Sequence, residues 1–431
     1  MMTPPAKAEL WDIRRFVIPV TALVCGIILA GRMPFGDPFL TFAFCGVFAL
    51  HMFRRPGQVE LAATLTGAAL LAWARLAGFR WGDTITHGVT LPGISLGLSS
   101  LLVIAASTAW CAPEDRPGRL RSAAVALAIP FFVCLSNLGL QLTAWLHPLT
   151  YDGFLYAFDT TLGFEPSFMV GEFLLRARWL RDICEITYNA VPLLIAVVYA
   201  LHAHRRKNAA GLSLLLSCGV AGVAGFLLYH LLPAAGPVYL FPAEFPRLVP
   251  AVPQLRTMGL ANRLAPRDCM PSLHFTWALL LCWNARSLPA WVRVLTGAGL
   301  GLTALATLGS GQHYLVDLVV AVPFALAIQT ACSPRTGSDA VGAHPFDENS
   351  TRRAKRRVVF LASATVVLWF GLLRFSQVLY QAHPATNWFI VSATVAASLL
   401  LKRSLARNPS TSQPASQRRC LPELVHPQER A

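Results

Sequence analysis

Two short strings near the middle of the chain, Met270-Pro271-Ser272-Leu273-His274 and Gln312-His313-Tyr314-Leu315-Val316-Asp317, combine residue types suited to phosphoryl chemistry. His313 and Asp317 stand four residues apart, so on a helix the carboxylate lies one turn from the imidazole on the same face. A carboxylate so placed fixes the tautomer of the ring and stabilises its imidazolium, leaving the other nitrogen to attack. His274 supplies a second imidazole, able to protonate a leaving oxygen and later deprotonate an incoming hydroxyl. Pro271 is well placed to open a helix at Ser272, and the free N–H groups of such a first turn attract an anion. Phosphoester cleavage through a phosphohistidine is the chemistry this set can do.

Segment 233–270 adds charge to the same region. Arg247, Arg256, Arg263 and Arg267 outnumber Glu244 and Asp268 there. Arginine offers a planar fork that can donate two bonds to one phosphate, so this basic patch is suited to hold a phosphoester. Taken singly, a histidine at a helix end is usually structural. A carboxylate one turn inside an apolar helix is less ordinary, because intramembrane carboxylates are costly. Seven further histidines (His51, His87, His147, His202, His204, His344 and His383) lack paired carboxylates. No ligand cluster accompanies His274 and His313, so neither a metal nor another cofactor is expected. The ten cysteines are scattered without a C-x-x-C pair, which suggests neither a disulfide framework nor a zinc site.

These strings must be positioned by apolar helices. The chain has 431 residues, 55% hydrophobic and 13% charged, with a mean hydropathy of +0.52. Soluble domains carry about 25% charged residues, so the composition is that of an all-α, polytopic membrane protein. Runs long enough to cross about 30 Å of hydrocarbon fall at 17–31, 39–53, 59–77, 93–111, 122–145, 184–203, 211–232, 271–285, 292–309, 313–332, 358–380 and 385–401, about twelve in all. The first is followed by Arg32-Met33-Pro34 rather than a small-residue cleavage site, and reads as a retained helix.

The net charge of +15 is arranged by loop. Basic residues gather at Arg14-Arg15, Arg54-Arg55, Arg116 to Arg121, Arg205 to Lys207, Arg286 with Arg293, Arg352 to Arg357 and Lys402-Arg403, which are alternate loops. The positive-inside rule makes that side cytoplasmic. The charge is then a topology signal, and nucleic-acid binding is set aside. His274 and His313 both begin their spans on the opposite side, with loop 233–270. The organisation expected is four helices in 1–121, a six-helix catalytic core in 122–332, a basic linker in 333–357, two helices in 358–402 and a disordered tail in 403–431. Trp73, Trp110 and Trp145 fit an interfacial belt, loop 146–183 suggests helices lying along the interface, and Gly219, Gly222 and Gly225 permit close helix packing.

At these residues the chain resembles the type 2 phosphatidic acid phosphatase superfamily. Pro271-Ser272-Leu273-His274 and His313-Tyr314-Leu315-Val316-Asp317 match its P-S-x-H and distal H-x-x-x-D strings, and the resemblance covers about 122–332. The superfamily's K-x-x-x-x-x-x-R-P motif is absent before Pro271, and Thr307 stands where its arginine precedes the distal histidine. Leu273, His313-Tyr314 and the segment Gly236-Pro237-Val238-Tyr239 are instead similar to the aureobasidin-resistance branch, which includes inositol phosphorylceramide synthases. That resemblance implies a site of His274, His313 and Asp317, with Ser272 and Tyr239 joining Arg263 and Arg267 in substrate binding. It also implies an inositol-phosphotransferase-like reaction that moves a phospho-headgroup from a phospholipid to an alcohol or lipid acceptor. A phosphatase of lipid phosphate or polyprenyl diphosphate is the alternative within enzymes. A proton-coupled transporter using His313 and Asp317 as a relay is the alternative outside them. The expected location is a bacterial inner membrane, with the chemistry on the non-cytoplasmic face.

Overall fold

Apolar periodicity without β-forming alternation should give helices, and helices dominate. The computed structural model describes residues 38–76, 92–112, 114–205, 208–333 and 345–407. The expected span at 17–31, residues 334–344 of the expected linker and the tail beyond 407 lie outside the described residues, while residues 345–357 of the linker open α13. In chain order the helices longer than four residues are α1 (Pro38–Phe53), α2 (Gln58–Leu76), α3 (Pro92–Ala109), α4 (Arg116–Leu146), α5 (Asp152–Thr160), α6 (Pro166–Arg176), α7 (Arg178–Asn189), α8 (Val191–His204) and α9 (Asn208–Tyr229). They continue with α10 (Leu273–Asn284), α11 (Ala290–Gly309), α12 (Leu315–Cys332), α13 (Pro345–Phe375) and α14 (Pro384–Arg407). Among the described residues the strand content is one antiparallel pair, β1 (Leu149–Thr150) on β2 (Met258–Gly259), which ties together the two long loops.

Among the described residues, seven helices are long and apolar enough to cross a membrane, and eight if the bent pair α7–α8 counts as one span. That differs from the twelve runs read in the sequence, for physical reasons. The run at 271–285 yields α10, of 12 residues, which at 1.5 Å per residue covers only about 18 Å. Its first residues are spent on a non-helical approach to Ser272. The run at 39–53 becomes the 16-residue α1, also short. Residues 184–203 divide between α7 and α8, which meet at a 58° bend. The long loop 146–183 contains α5 and α6, both short and largely buried on one side.

Burial follows the same logic. α12 is the most enclosed long helix, with 72% of its apolar window inside the protein, and α9, α10, α13 and α14 pack around it. Trp277, Leu280, Val316, Val320 and Trp369 belong to its core. A second layer joins α1, α3, α4 and α8 through Val47, Ile104, Ile129 and Ala200. On α4, by contrast, Phe131, Leu135, Leu138 and Trp145 are exposed. Exposed apolar side chains in a row on one helix suit a lipid-facing surface.

Candidate active site

The chain folds locally so that two non-helical approaches, 268–272 and 311–314, run beside each other. Ser272 caps α10, its Oγ accepting from the Phe275 N–H at 3.5 Å, while the Ser272 N–H lies 3.4 Å from the Asp317 carbonyl. At the start of α12, Asp317 Oδ2 accepts from the Tyr314 N–H at 2.8 Å, closing a capping box. The two helix starts are therefore bound to each other, and their histidines share one cavity.

His313 is 2% exposed. Its Nδ1 lies 2.8 Å from the carbonyl oxygen of Cys269 and 3.4 Å from Asp317 Oδ2. Both neighbours are acceptors, so Nδ1 carries the proton and Nε2 keeps its lone pair. Nε2 points toward Ser272 Oγ, 3.5 Å away. The expected i, i+4 contact is present, but the nearer acceptor is a backbone carbonyl that no side-chain pattern reveals. Ser167, on α6, donates to the His313 carbonyl at 2.8 Å and holds the ring's own backbone.

His274 is held differently. Its ring stacks on Tyr188 with centroids 3.7 Å apart and planes 18° from parallel, and the edges of Phe39 and Trp277 close the other sides. Tyr188 donates from its hydroxyl to Gln312 Oε1 at 3.1 Å. This chain of contacts links the bend at α7–α8 to the residue just before His313.

His274, His313, Gln312, Tyr188 and Asp268 form the polar end of a cavity of about 580 Å³. The rest is mostly apolar, running between α4 and α9 past Phe132, Leu138, Val223 and Phe226, with Ser136, Asn137 and Asn189 also in the lining. A Cβ on Gly222 would meet the Phe132 ring at 2.1 Å, and one on Gly139 would meet Phe226 at 3.0 Å. Each helix thus supplies an aromatic ring to a glycine of the other, and the cleft is bounded by that seam.

Two carboxylates missed by the sequence reading build the site from behind. Asp152 accepts from the Gly236 N–H at 2.7 Å, from the Ala235 N–H at 3.0 Å and from the Tyr314 hydroxyl at 2.9 Å. Asp159 accepts from the Leu315 N–H at 2.6 Å and the Val316 N–H at 3.3 Å, the unpaired donors at the start of α12. Burial pushes both carboxyls above the usual carboxylate range, and the donated N–H groups draw them back. Their spacing of seven residues on one face of a short helix was the available signal. Gly236, at φ +106°, is the turn residue on which this depends, since a Cβ there would meet the Gln312 backbone at 2.5 Å. Replacing Asp152 with alanine should strand three donors and cost on the order of 3 kcal/mol, seen as a lowered unfolding midpoint in detergent. Asp152→Asn, which keeps one acceptor oxygen, should lose less.

The expected phosphate ligands stand elsewhere. Arg267 is buried, but its Nε donates to the His147 carbonyl at 3.1 Å and its Nη1 to the Ala265 carbonyl, so the guanidinium fastens loop to loop. Arg263 is exposed, as are Arg247 and Arg256. Tyr239 packs on Ala235, Leu260 and Ala265, beside the cavity rather than among its lining residues. Thr307 is buried and donates to the Thr303 carbonyl. Among the described residues, no lysine or arginine lines the cavity. The reason is geometric: each of these arginines lies on a loop that β1–β2 and Asp152 hold away from the two histidines.

Cys269, His313 and Asp317 offer potential metal-ligating atoms within 4.8 Å of one another. Those are the atoms already used in orienting the His313 ring, so the grouping fits a hydrogen-bonded pair better than an ion.

Residues 153–331 match the family model of the PAP2 superfamily. No curated protein and no solved structure matches the chain. Members of that superfamily act on phosphoesters, and the match supports a phosphoester enzyme embedded in a membrane.

Proposed function

We propose that this protein is a membrane phosphotransferase that moves a phospho-headgroup from a phospholipid to an alcohol or lipid acceptor. The observation that carries the reading is the orientation of His313: Nδ1 is held by the Cys269 carbonyl at 2.8 Å, which leaves Nε2 free to attack. In the first half-reaction Nε2 bonds to phosphorus and the phosphorus–oxygen bond to the lipid alcohol breaks. His274 protonates that leaving oxygen. In the second, the acceptor hydroxyl gives its proton to His274, its oxygen bonds to phosphorus, and the phosphorus–nitrogen bond breaks to restore His313.

Negative charge on the phosphoryl oxygens is met by the start of α10, where Ser272 Oγ and the Leu273 and His274 N–H groups lie. Asp317 offsets the positive charge that His313 acquires as it bonds to phosphorus. The catalytic core we infer comprises α4, the α7–α8 pair, α9, α10, α11 and α12. The remaining helices flank it.

Transfer is favoured over hydrolysis because the cavity walls between α4 and α9 are mostly apolar, and a phosphohistidine reacts with whichever hydroxyl reaches it. Purified protein incubated with phosphorus-labelled donor lipids and a ceramide, glyceride or polyol acceptor should yield a new phospholipid and little free phosphate. Steady release of free phosphate, indifferent to the acceptor, would make the protein a lipid phosphatase instead.

The arrangement of basic loops supports a site on the non-cytoplasmic face, in what we take to be a bacterial inner membrane. Cysteines replacing Glu244 or Ser310 should then react with an impermeant thiol reagent added outside intact cells that lack other reactive thiols. One replacing Asn208 should stay unlabelled. The reverse pattern would move the reaction to the cytoplasmic side.

A further inference from the structure

Asp268 is the acid that neither half-reaction uses. It lines the cavity together with His274 and His313, and it directly precedes Cys269, whose carbonyl orients the nucleophilic ring. Burial pushes its carboxyl up to about 6, with the His313 imidazole pulling the other way. The hydrogen bonds of its neighbours run to other groups. Arg267 turns its guanidinium to the carbonyls of His147 and Ala265, the Tyr188 hydroxyl donates to Gln312, and the Tyr229 hydroxyl donates to the Pro271 carbonyl. Arg267 also draws the Asp268 carboxyl down from its place in the loop, but among the described residues no lysine or arginine lines the cavity with it.

A carboxylate that lines a cavity rich in aromatic side chains, with no lysine or arginine in the lining, is suited to bind an ammonium group. It is unsuited to a headgroup that brings further negative charge, because like charges repel strongly in an apolar cavity. The reaction sharpens this requirement. Once the lipid alcohol departs, the headgroup stays bonded to phosphorus on His313, so the site must hold the headgroup after the acyl chains have gone. Phosphate at the start of α10 and ammonium at Asp268 would place opposite charges on opposite partners across one short spacer.

Resting on the phosphotransfer reading, we propose that Asp268 forms the headgroup subsite for an ammonium cation, so that the donor is a zwitterionic phospholipid of the ethanolamine or choline type. The binding of intact donor can be measured with the His313→Ala protein, which leaves the lipid uncleaved. Titrated calorimetrically with short-chain phosphatidylethanolamine, phosphatidylcholine, phosphatidylinositol and phosphatidate, it should bind the first two at least about tenfold more tightly than the last two. Adding Asp268→Asn should erase that preference, whereas Asp268→Glu, which restores the charge, should keep it. Equal or tighter binding of phosphatidylinositol or phosphatidate overturns the subsite, and so does a preference that survives Asp268→Asn. Should Asp268→Asn fail to fold, the lipid ranking of the parent protein and the Asp268→Glu result decide the matter. His313-dependent turnover of an anionic donor, without any ammonium preference, would sink the subsite and leave the phosphotransfer reading standing. Absence of His313-dependent turnover of every donor, with the binding preference intact, would sink the phosphotransfer reading and leave the subsite standing.

Discussion

His313→Ala should abolish turnover, by at least about 10⁴-fold, while the protein still folds and inserts. That factor corresponds to roughly 5 kcal/mol of barrier, as expected when the atom that bonds to phosphorus is removed. The ring's neighbours explain why folding should survive: Ser167 holds the residue's backbone carbonyl, and the capping box at Tyr314 and Asp317 uses no atom of the imidazole. Turnover near the parent rate would rule out His313 as nucleophile. Asp317→Asn should be milder, on the order of 10²-fold. The Cys269 carbonyl, at 2.8 Å, keeps the proton on Nδ1 whether or not the carboxylate is present, so that variant loses charge stabilisation without losing the tautomer. A loss as large as that of His313→Ala would mean that Asp317, 3.4 Å away, sets the ring state after all.

His274→Ala should lower turnover of a natural donor by about 10³-fold, because an alkoxide is a poor leaving group unless it is protonated. The stronger expectation lies in how that loss divides. With a nitrophenyl ester as donor the leaving oxygen needs no proton, so the first half-reaction should run at close to the parent rate. The second should still stall, since no base is left to take the proton of the acceptor. A phosphorylated protein should then accumulate, labile to acid and stable to base, and its label should map to His313. Equal losses with both donors, and no trapped intermediate, would remove His274 from proton transfer and leave it as a packing partner of Tyr188. Tyr188→Ala offers a matched comparison: it removes the ring stacked 3.7 Å from His274, and should slow both donors without trapping anything.

Much was legible in the primary structure, and the legible part is the part that local geometry dictates. The i, i+4 spacing of His313 and Asp317 needs only a helix to become a contact, and α12 with its first-turn Asp317 supplies it. Helix class follows from long apolar runs, and α3, α4, α9, α11, α12, α13 and α14 fall close to the runs read from hydropathy. Where a run was short or flanked by a bend, as at 271–285 and 184–203, hydropathy had no way to separate a span from a half-span, since it averages composition and carries no direction.

The tertiary structure decided what long-range contacts decide. Whether an arginine faces phosphate depends on where its loop is tied, and the β1–β2 pair and the Asp152 clamp turn Arg263 and Arg267 away from the histidines. The Cys269 carbonyl as partner of His313 Nδ1 is a backbone group, present at every residue and therefore invisible to any pattern of side chains. Asp268, read in the sequence only as a counter-charge to the arginines, becomes a lining acid because the guanidinium next to it is used elsewhere. The residue types and their spacing determined which chemistry the chain can attempt. The packing of the approach at Cys269 against the start of α12 determined which nitrogen of His313 keeps its lone pair, because the Cys269 carbonyl lies 44 residues away in the chain, and α5 brings Asp152 and Asp159 to that helix start from more than 150 residues away.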